Sequence, residues 1–207
     1  MATSEGPEAR LRELARSDDA TPPSARERIL AEAVALFYAD GIRAVGVDLL
    51  IARSGVAKAT FYRHFPSKND LVTAYVDRRR RAMLDWLAEE VEARPGQPLL
   101  TVFDALGDLF ADPAFRGCAV HNAVAEAGTD TPGVLERAAA HAADLSRYLG
   151  GLAAEAGTAD DELAARWLLL IDGAFAGAQR GEGRKAAGVA RRTAEHLLAG
   201  AGVCAAG

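Results

Sequence analysis

The feature that most restricts how this chain can fold is the stretch 47–65, in which a glycine interrupts an amphipathic helical pattern. Before the interruption, apolar residues recur at the i, i+3, i+4 spacing of one helix face. Gly55 can adopt the left-handed backbone of a sharp turn without a Cβ clash. Phe61 and Phe65, four residues apart, predict a second and shorter helix. The stretch therefore predicts a helix-turn-helix. The first apolar stripe consists of Val47, Leu50 and Ile51.

The outward side of the second helix carries side chains that suit contact with DNA. Lys58 and Arg63 can neutralise phosphates, and the hydroxyls of Thr60 and Tyr62 can bond phosphate oxygens or base edges. His64 adds a planar donor. The alternative from spacing alone is a solvated polar face on an ordinary helical hairpin. Both interpretations stay open at this point.

Flanking signals predict one helix before this stretch and a long one after it. Residues 24–27 form a capping box, and Gly41 follows the apolar pattern where a C-cap is expected. Pro66 ends the short second helix. Residues 67–70 form another capping box, which opens a helix predicted over 67–93.

Residues 26–71 resemble the N-terminal DNA-binding domain of TetR/AcrR-type transcription regulators. The resemblance implies a head of three short helices, a helical ligand-binding body of about six, and a homodimer that binds double-stranded DNA. The matching elements are Ile29-Leu30, Leu36-Phe37, Gly41, Ser54-Gly55-Val56, Lys58-x-Thr60-Phe61-Tyr62-x-His64-Phe65 and Ser67-Lys68-x-x-Leu71.

The resemblance also implies which residues contact DNA. Val45, Gly46 and Ala57 stand where relatives usually carry hydroxyl residues, so phosphate donors are fewer here. Gly46 can still cap a helix and leave its backbone N–H groups available. The expected DNA-binding residues are Gly46, Lys58, Ala59, Thr60, Tyr62, Arg63, His64 and Lys68.

Charge is distributed unevenly along the chain. Residues 24–81 hold 11 Lys and Arg against 6 Asp and Glu, a balance of +5, whereas the whole chain carries −5. This asymmetry is typical of a DNA-binding head on an acidic body.

Four consecutive arginines lie at 78–81. Because they span a full helical turn, they cannot all face DNA. We expect a solvated face with acidic partners rather than a phosphate patch.

Composition excludes several classes of protein. Apolar residues make up 50% and aromatic residues 6% of the chain, which fits an all-α protein. No apolar run approaches about 18 residues and no signal-peptide pattern is present, so we expect no membrane contact and a cytoplasmic location. The two cysteines, Cys118 and Cys204, form neither a metal-binding nor a disulfide signature. We predict no cofactor and no metal.

Four regions follow from these signals. Residues 1–23 are expected to form a flexible arm, in which residues 8–16 could form a short helix. The arginines of this arm leave a minor-groove-reading role open. Residues 24–70 are the DNA-binding head, and 71–202 are the ligand-binding and dimerisation body. Residues 203–207 are a tail.

The segment 115–123 resembles one that borders the effector pocket in a large branch of the family. Sparse polar groups there could orient a small, mostly apolar effector, or could be ordinary surface residues. Cys118 is expected to be a small buried hydrophobe rather than a redox sensor. The predicted ligand-binding residues are Trp86, Phe103, Phe110, Cys118, His121, Asn122, Glu126 and Phe175.

The helix predicted over 161–179 is apolar on more than one face, so it is either central or shared with another molecule. In the family that the chain resembles, the last two helices pair with those of a partner. The alternative is that both are simply core helices. The predicted dimer-interface residues are Trp167, Leu168, Ile171, Phe175, Ala178, Val189 and Leu197.

Together these features predict a ligand-responsive transcription regulator, most often a repressor in this family, on a palindromic operator. No catalytic set of residues and no phosphate-cradling glycine loop accompany them, which argues against an enzyme. A protein-interaction module that keeps the fold without specific operator binding is the alternative.

Overall fold

The computed structural model describes residues 6–16, 23–158 and 162–200, and these form ten α-helices. No β-strand occurs in these ranges, which confirms the all-α prediction. The helices are α1 (Pro7–Leu14), α2 (Ala25–Asp40), α3 (Val47–Ser54), α4 (Lys58–His64), α5 (Lys68–Ala93), α6 (Pro98–Ala111), α7 (Ala119–Ala127), α8 (Pro132–Glu155), α9 (Leu163–Gly177) and α10 (Arg184–Gly200).

The chain separates into two compact units. One unit, here the head unit, contains residues 9–83 and 118–141. The other, here the body unit, contains the described residues of 1–8, 84–117 and 142–207. The head unit therefore holds α2, α3 and α4 together with α7, which lies beyond the boundary predicted at residues 70 and 71.

Helix ends in the head unit form where the capping signals predicted them. The Ser24 hydroxyl accepts a hydrogen bond from the Glu27 N–H at 3.2 Å. The Asp70 carboxylate accepts from the Ser67 N–H at 2.9 Å, and the Asp70 N–H donates back to the Ser67 hydroxyl at 3.2 Å. Gly41, at φ +88°, donates its N–H to the Phe37 carbonyl. Each bond satisfies a backbone or side-chain group that the helix end leaves free.

The core of the head unit is built from the apolar faces of these helices. Phe37 of α2 packs edge-to-face on Tyr75 of α5, with ring centroids 5.4 Å apart. Such pairs add to the stability that burial of the rings already provides. Fully or nearly fully buried side chains here include Leu11, Ile29, Leu30, Leu50, Phe61, Leu71 and Tyr75.

The N-terminal region differs from its prediction. Residues 7–14 form α1, the short helix that the sequence allowed, but it is packed rather than flexible, with Leu11 1% exposed and Ala15 completely buried. The Ala15 carbonyl accepts a hydrogen bond from Arg78 Nη1 at 3.2 Å. Burial of Leu11 and this bond to α5 supply the tertiary stabilisation that a helix of eight residues lacks by itself.

The arginine run at 78–81 is structural. Arg78 pairs with both carboxylate oxygens of Glu27, at 2.9 and 3.2 Å. Arg79 is buried and its guanidinium lies 4.3 Å from the centroid of the Tyr38 ring. Arg80 and Arg81 both bind Asp77. Acidic partners therefore engage three of the arginines, as predicted, whereas the aromatic partner of Arg79 was not predicted. Only Arg81, with its side chain 63% exposed, lies on the predicted solvated face.

The core of the body unit centres on α6, whose side chains are buried along most of its length. The Trp167 indole N–H donates to the Leu99 carbonyl at 2.9 Å, and the Trp167 ring lies 6.2 Å from that of Phe103. Helix α10 packs on α6 and α9 through small residues. The Cβ of Ala187, for example, lies 3.6 Å from the position a Cβ would take at Gly107.

Helix α9 ends earlier than predicted. A π-helical turn at Ala178–Glu182 follows it, and Gly181 and Gly183 have φ of +94° and +51°. Two glycines in the left-handed region allow the chain to turn into α10. Across the parts of the chain that the structure describes, no helix is long and apolar enough to cross a membrane.

Candidate nucleic-acid interface

A left-handed glycine and two hydrogen bonds shape the turn between α3 and α4. Gly55 has φ +63° and ψ 33°, the left-handed conformation that its position predicted. The Ser54 hydroxyl donates to the Leu50 carbonyl at 2.6 Å. Arg28 Nε, from the first turn of α2, donates to the Ser54 carbonyl at 3.2 Å. These contacts close the end of α3 and tie it to α2.

Helix α4 has one buried face and one exposed face. Phe61 and Phe65 are 0% and 2% exposed, and their rings lie 6.3 Å apart. Burial of two large aromatic rings gives a helix of seven residues the packing that it needs to stay folded. The opposite face remains open to solvent. Its exposed members are Lys58, Ala59, Tyr62 and Arg63.

The exposed face of α4 offers cationic and hydroxyl groups. The Lys58 side chain is 69% exposed, and its ammonium lies 3.8 Å from Asp48, itself 92% exposed. A pair so open to water contributes little energy, so the Lys58 ammonium stays available to a phosphate. Tyr62 is 43% exposed, with its ring edge-to-face on Phe61. Thr60 and His64 are half-buried at the margins of this face.

Two of the expected DNA-binding residues have other positions. Gly46 is exposed at the N-cap of α3, next to a fully buried Val45. Lys68 is half-buried, and its ammonium donates to the Ile42 carbonyl at 2.6 Å. Burial lowers the pKa of Lys68, and the nearby Glu126 carboxylate opposes that shift. The Lys68 ammonium is thus bonded within the protein rather than presented on the exposed face of α4.

The predicted ligand-binding residues fall in both compact units. Trp86, Phe103, Phe110 and Phe175 belong to the body unit and are buried. The Phe110 ring lies 5.0 Å from that of Phe175. A third ring of this cluster, Phe115, lies 5.1 Å from Phe110 and was not predicted. Because Phe115 lies in the loop between α6 and α7, no helical spacing in the sequence indicated its packing.

Cys118, His121, Asn122 and Glu126 belong to the head unit. Cys118 is buried at the N-cap of α7. Burial raises the pKa of its thiol, but hydrogen bonds and positive charge from His121 and His141 outweigh that effect and lower it to about 6. Cys118 was predicted to be a small buried hydrophobe. It is buried, but the two histidines give its thiol a polar environment, and His141 was not among the predicted residues.

Glu126, one of the predicted ligand-binding residues, forms two hydrogen bonds with Arg43. Its carboxylate accepts a hydrogen bond from the Arg43 N–H at 3.1 Å, and its carbonyl accepts one from Arg43 Nε at 2.9 Å. The residue is therefore bound to the loop between α2 and α3. The two partners are 83 positions apart in sequence, so no local pattern could have indicated this pairing.

Several predicted dimer-interface residues lie in the chain's own core. Trp167, Ile171 and Phe175 are 0–3% exposed, and Ala178 is 8% exposed, so they have little surface left for a partner. Leu168 and Leu197 are half-buried, and Val189 is 47% exposed. Leu169, which the prediction omitted, is 72% exposed. Within the unbroken run 167–171, the sequence pattern could not separate the outward residue from the inward ones.

The ranges that the structure describes contain no group of three histidine, cysteine or acidic side chains placed to hold a metal ion.

The sequence is similar to those of known DNA-binding regulators. Residues 29–75 match the family model of bacterial regulatory proteins, tetR family. The chain is 26% identical over 105 residues to an uncharacterised HTH-type transcriptional regulator in the lacX 3′ region of Lactococcus lactis subsp. lactis. That alignment covers 49% of this chain and 54% of the relative, so the chain spans about half the length of this curated relative.

Two solved structures match over most of their length. A TetR-family transcriptional regulator from Streptomyces coelicolor is 29% identical, with a TM-score of 0.77, over 96% of this chain and 97% of that one. A protein of Streptomyces avermitilis assigned to the TetR transcriptional regulators is 30% identical, with a TM-score of 0.75, over 88% of this chain and 100% of that one. Regulators of this kind are not enzymes. With its helix-turn-helix at residues 47–65, the chain belongs to the TetR family of transcriptional regulators.

Proposed function

We propose that this protein is a transcriptional repressor that binds a palindromic operator as a homodimer and is released by a small, mostly apolar effector. The exposed face of α4 carries the proposal. Lys58, Tyr62 and Arg63 are all exposed there, while Phe61 and Phe65 fix the helix from the other side. A short helix held in this way suits insertion into a major groove, with side chains for phosphates and base edges.

The proposal of a dimer is based on the outward surfaces of α9 and α10. Leu169 is the most exposed large apolar residue that the structure describes, and Gly173 lies one helical turn further along α9. A Cβ at Gly173 would meet no described atom within 4 Å, so a partner helix could approach the backbone closely there. Val189 adds an exposed apolar side chain on α10. Exposed apolar surface of this kind favours burial against a second subunit.

The effector class is proposed from the aromatic cluster in the body unit. Phe110, Phe115 and Phe175 bring three rings within 5.0–6.1 Å of one another. Aromatic rings that line a binding site favour an apolar ligand. An effector that binds one conformation better than the other would shift the equilibrium between DNA-bound and free forms. Such a regulator would act in the cytoplasm.

DNA footprinting on the sequence that flanks the protein's own gene tests the proposal. We expect protection of two inverted half-sites about one helical turn apart, because a two-fold dimer presents two copies of α4. Absence of any protected sequence, with a folded dimer present, would favour an interaction module without operator binding.

A further inference from the structure

Two side chains of opposite charge hold the loop between α2 and α3. Lys68 Nζ, at the start of α5, donates to the Ile42 carbonyl at 2.6 Å. Glu126 Oε2, in the last turn of α7, accepts from the Arg43 N–H at 3.1 Å. The Ile42 carbonyl and the Arg43 N–H belong to a single peptide group. A cation therefore binds one end of that group and an anion binds the other, and charge-assisted bonds of this kind are stronger than neutral ones.

Further contacts bring Glu126 close against the same loop. Arg43 Nε donates to the Glu126 carbonyl at 2.9 Å, so the two residues share two hydrogen bonds. A Cβ built on Gly41 would lie 3.1 Å from Glu126 Oε2. The absence of a side chain at Gly41, which also has φ +88°, leaves room for the carboxylate.

The position of this loop sets the position of the proposed DNA-binding surface. The loop leads directly into Gly46, the N-cap of α3. Helix α3 is in turn joined to α4 by the fixed turn at Gly55. A displacement of the 42–43 peptide would therefore move the start of α3, and with it the orientation of α4 on DNA. Misplacement of a binding element weakens binding even where no contacting residue has changed.

We propose that Glu126 is a positioning residue for DNA binding, whose carboxylate fixes the peptide group between Ile42 and Arg43 and so orients α3 and α4. The inference rests on the proposed operator binding and deepens it. It also gives Lys68 a matching role on the opposite end of the same peptide group. Neither residue needs to touch DNA to act in this way.

Removal of the Glu126 carboxylate should change DNA affinity in opposite directions, depending on whether the carboxylate positions the loop or only repels DNA. A negative charge in the head unit repels DNA, so its removal alone would strengthen binding. Loss of a positioning bond has the opposite effect. Glu136 provides the control, because it lies in the head unit, its side chain is 70% exposed and it forms an ion pair with its neighbour Arg137.

The experiment measures operator affinity for the wild type and for Glu126→Ala, Glu126→Gln and Glu136→Ala. We expect Glu126→Ala to bind about tenfold more weakly, the effect of removing one charge-assisted bond. Glu126→Gln keeps an amide oxygen that can accept from the Arg43 N–H, so it should stay within about threefold of the wild type. Glu136→Ala should bind at least as tightly as the wild type. Equal affinities of Glu126→Ala and Glu136→Ala would overturn the proposal.

Hydrogen exchange of the Arg43 amide provides a readout that does not depend on DNA. We expect exchange to be faster in Glu126→Ala than in the wild type, below the melting temperature of both. Unchanged exchange overturns the proposal, even if the affinity falls. If the wild type binds no flanking DNA, the proposed function fails instead, and the exchange result still decides whether Glu126 holds this peptide group.

Discussion

Arg43 and Glu126 share two hydrogen bonds between the α2–α3 loop and the end of α7. The Arg43 N–H donates to the Glu126 carboxylate at 3.1 Å, and Arg43 Nε donates to the Glu126 carbonyl at 2.9 Å. Both residues belong to the head unit, which extends well beyond the helix-turn-helix itself. Helix α7, expected to line an effector site, is thus also part of the support for the proposed DNA-binding surface.

The left-handed turn at Gly55 predicts a measurable cost for any side chain there. Gly55→Ala should lower the free energy of unfolding by about 1–2 kcal/mol, because an L-residue at φ +63° is strained. Gly150→Ala is the control, since Gly150 lies inside α8 and no described atom would lie within 4 Å of its Cβ. That change should stabilise the protein by up to about 1 kcal/mol. Thermal unfolding would contradict the turn geometry if both variants moved in the same direction.

The ion pair between Arg78 and Glu27 predicts a structural role for the arginine run. Both side chains are only 19% exposed, and Arg78 also binds the Ala15 carbonyl. Arg78→Ala should therefore lower the free energy of unfolding by about 2 kcal/mol, because Glu27 would lose its closer cationic partner and keep only the more exposed Arg26. Arg147→Ala, at a side chain 74% exposed, should change it by less than about 0.5 kcal/mol. Urea titration measures both, and similar costs would show that burial of the Arg78 pair is unimportant.

If the exposed surface of α9 forms the proposed dimer interface, a charge introduced there should change the oligomeric state. Leu169→Arg should convert the proposed dimer to a monomer, since it places a charge at the most exposed large apolar side chain that the structure describes. Leu135→Arg is the control, because it makes the same substitution at another exposed leucine. Leu135 is 50% exposed and lies on α8 in the head unit, whereas the proposed interface residues belong to the body unit. Its mass in solution should remain that of two chains. Light scattering distinguishes these states, and a Leu169→Arg variant that stays dimeric would place the interface elsewhere.

Cys118 predicts an unusual acid–base titration. In a Cys204→Ser background the ultraviolet absorbance of the thiolate should appear with a midpoint at about pH 6, well below the usual thiol pKa of 9.0. His141→Gln should raise that midpoint, because it removes one of the two histidines that favour the thiolate while the thiol remains buried. A midpoint that does not move would exclude His141 as a cause.

The same pKa has a consequence for stability with a definite sign. A thiol whose pKa is lower in the folded than in the unfolded chain stabilises the fold when it is ionised. The contribution of Cys118 should therefore be absent below about pH 6, grow between pH 6 and 9, and be complete above pH 9. The difference in unfolding free energy between wild type and Cys118→Ala should follow that curve. A difference in unfolding free energy that does not change with pH would show that ionisation of Cys118 does not stabilise the fold.

Local signals predicted the helix-turn-helix and most helix ends well, because the responsible contacts are close in sequence. The Ser67 and Asp70 capping bonds and the Gly55 turn each depend on residues within a few positions. The buried pair Phe61 and Phe65 followed from spacing alone. Each of these features is encoded within about one helical turn.

Features that depend on distant partners could not be predicted in this way. The contact between Arg43 and Glu126 and the anchoring of α1 by Arg78 join residues 83 and 63 positions apart. The outward direction of Leu169 depends on how α9 is rotated in the core, where Trp167 donates to Leu99. Spacing indicates that a helix has an apolar face, but tertiary packing decides what covers it.

The central claim is that the exposed face of α4 binds DNA, and salt-dependent affinity tests it most directly. The measurement compares the wild type with Lys58→Ala and Arg81→Ala on DNA flanking the protein's own gene. Arg81 is the control because its exposed side chain pairs with Asp77 on α5. We predict specific binding that weakens steeply with salt, and a Lys58→Ala slope smaller by about 0.9 for each phosphate that this variant no longer neutralises. No specific binding by the wild type, or the same affinity and slope for all three proteins, would contradict the claim.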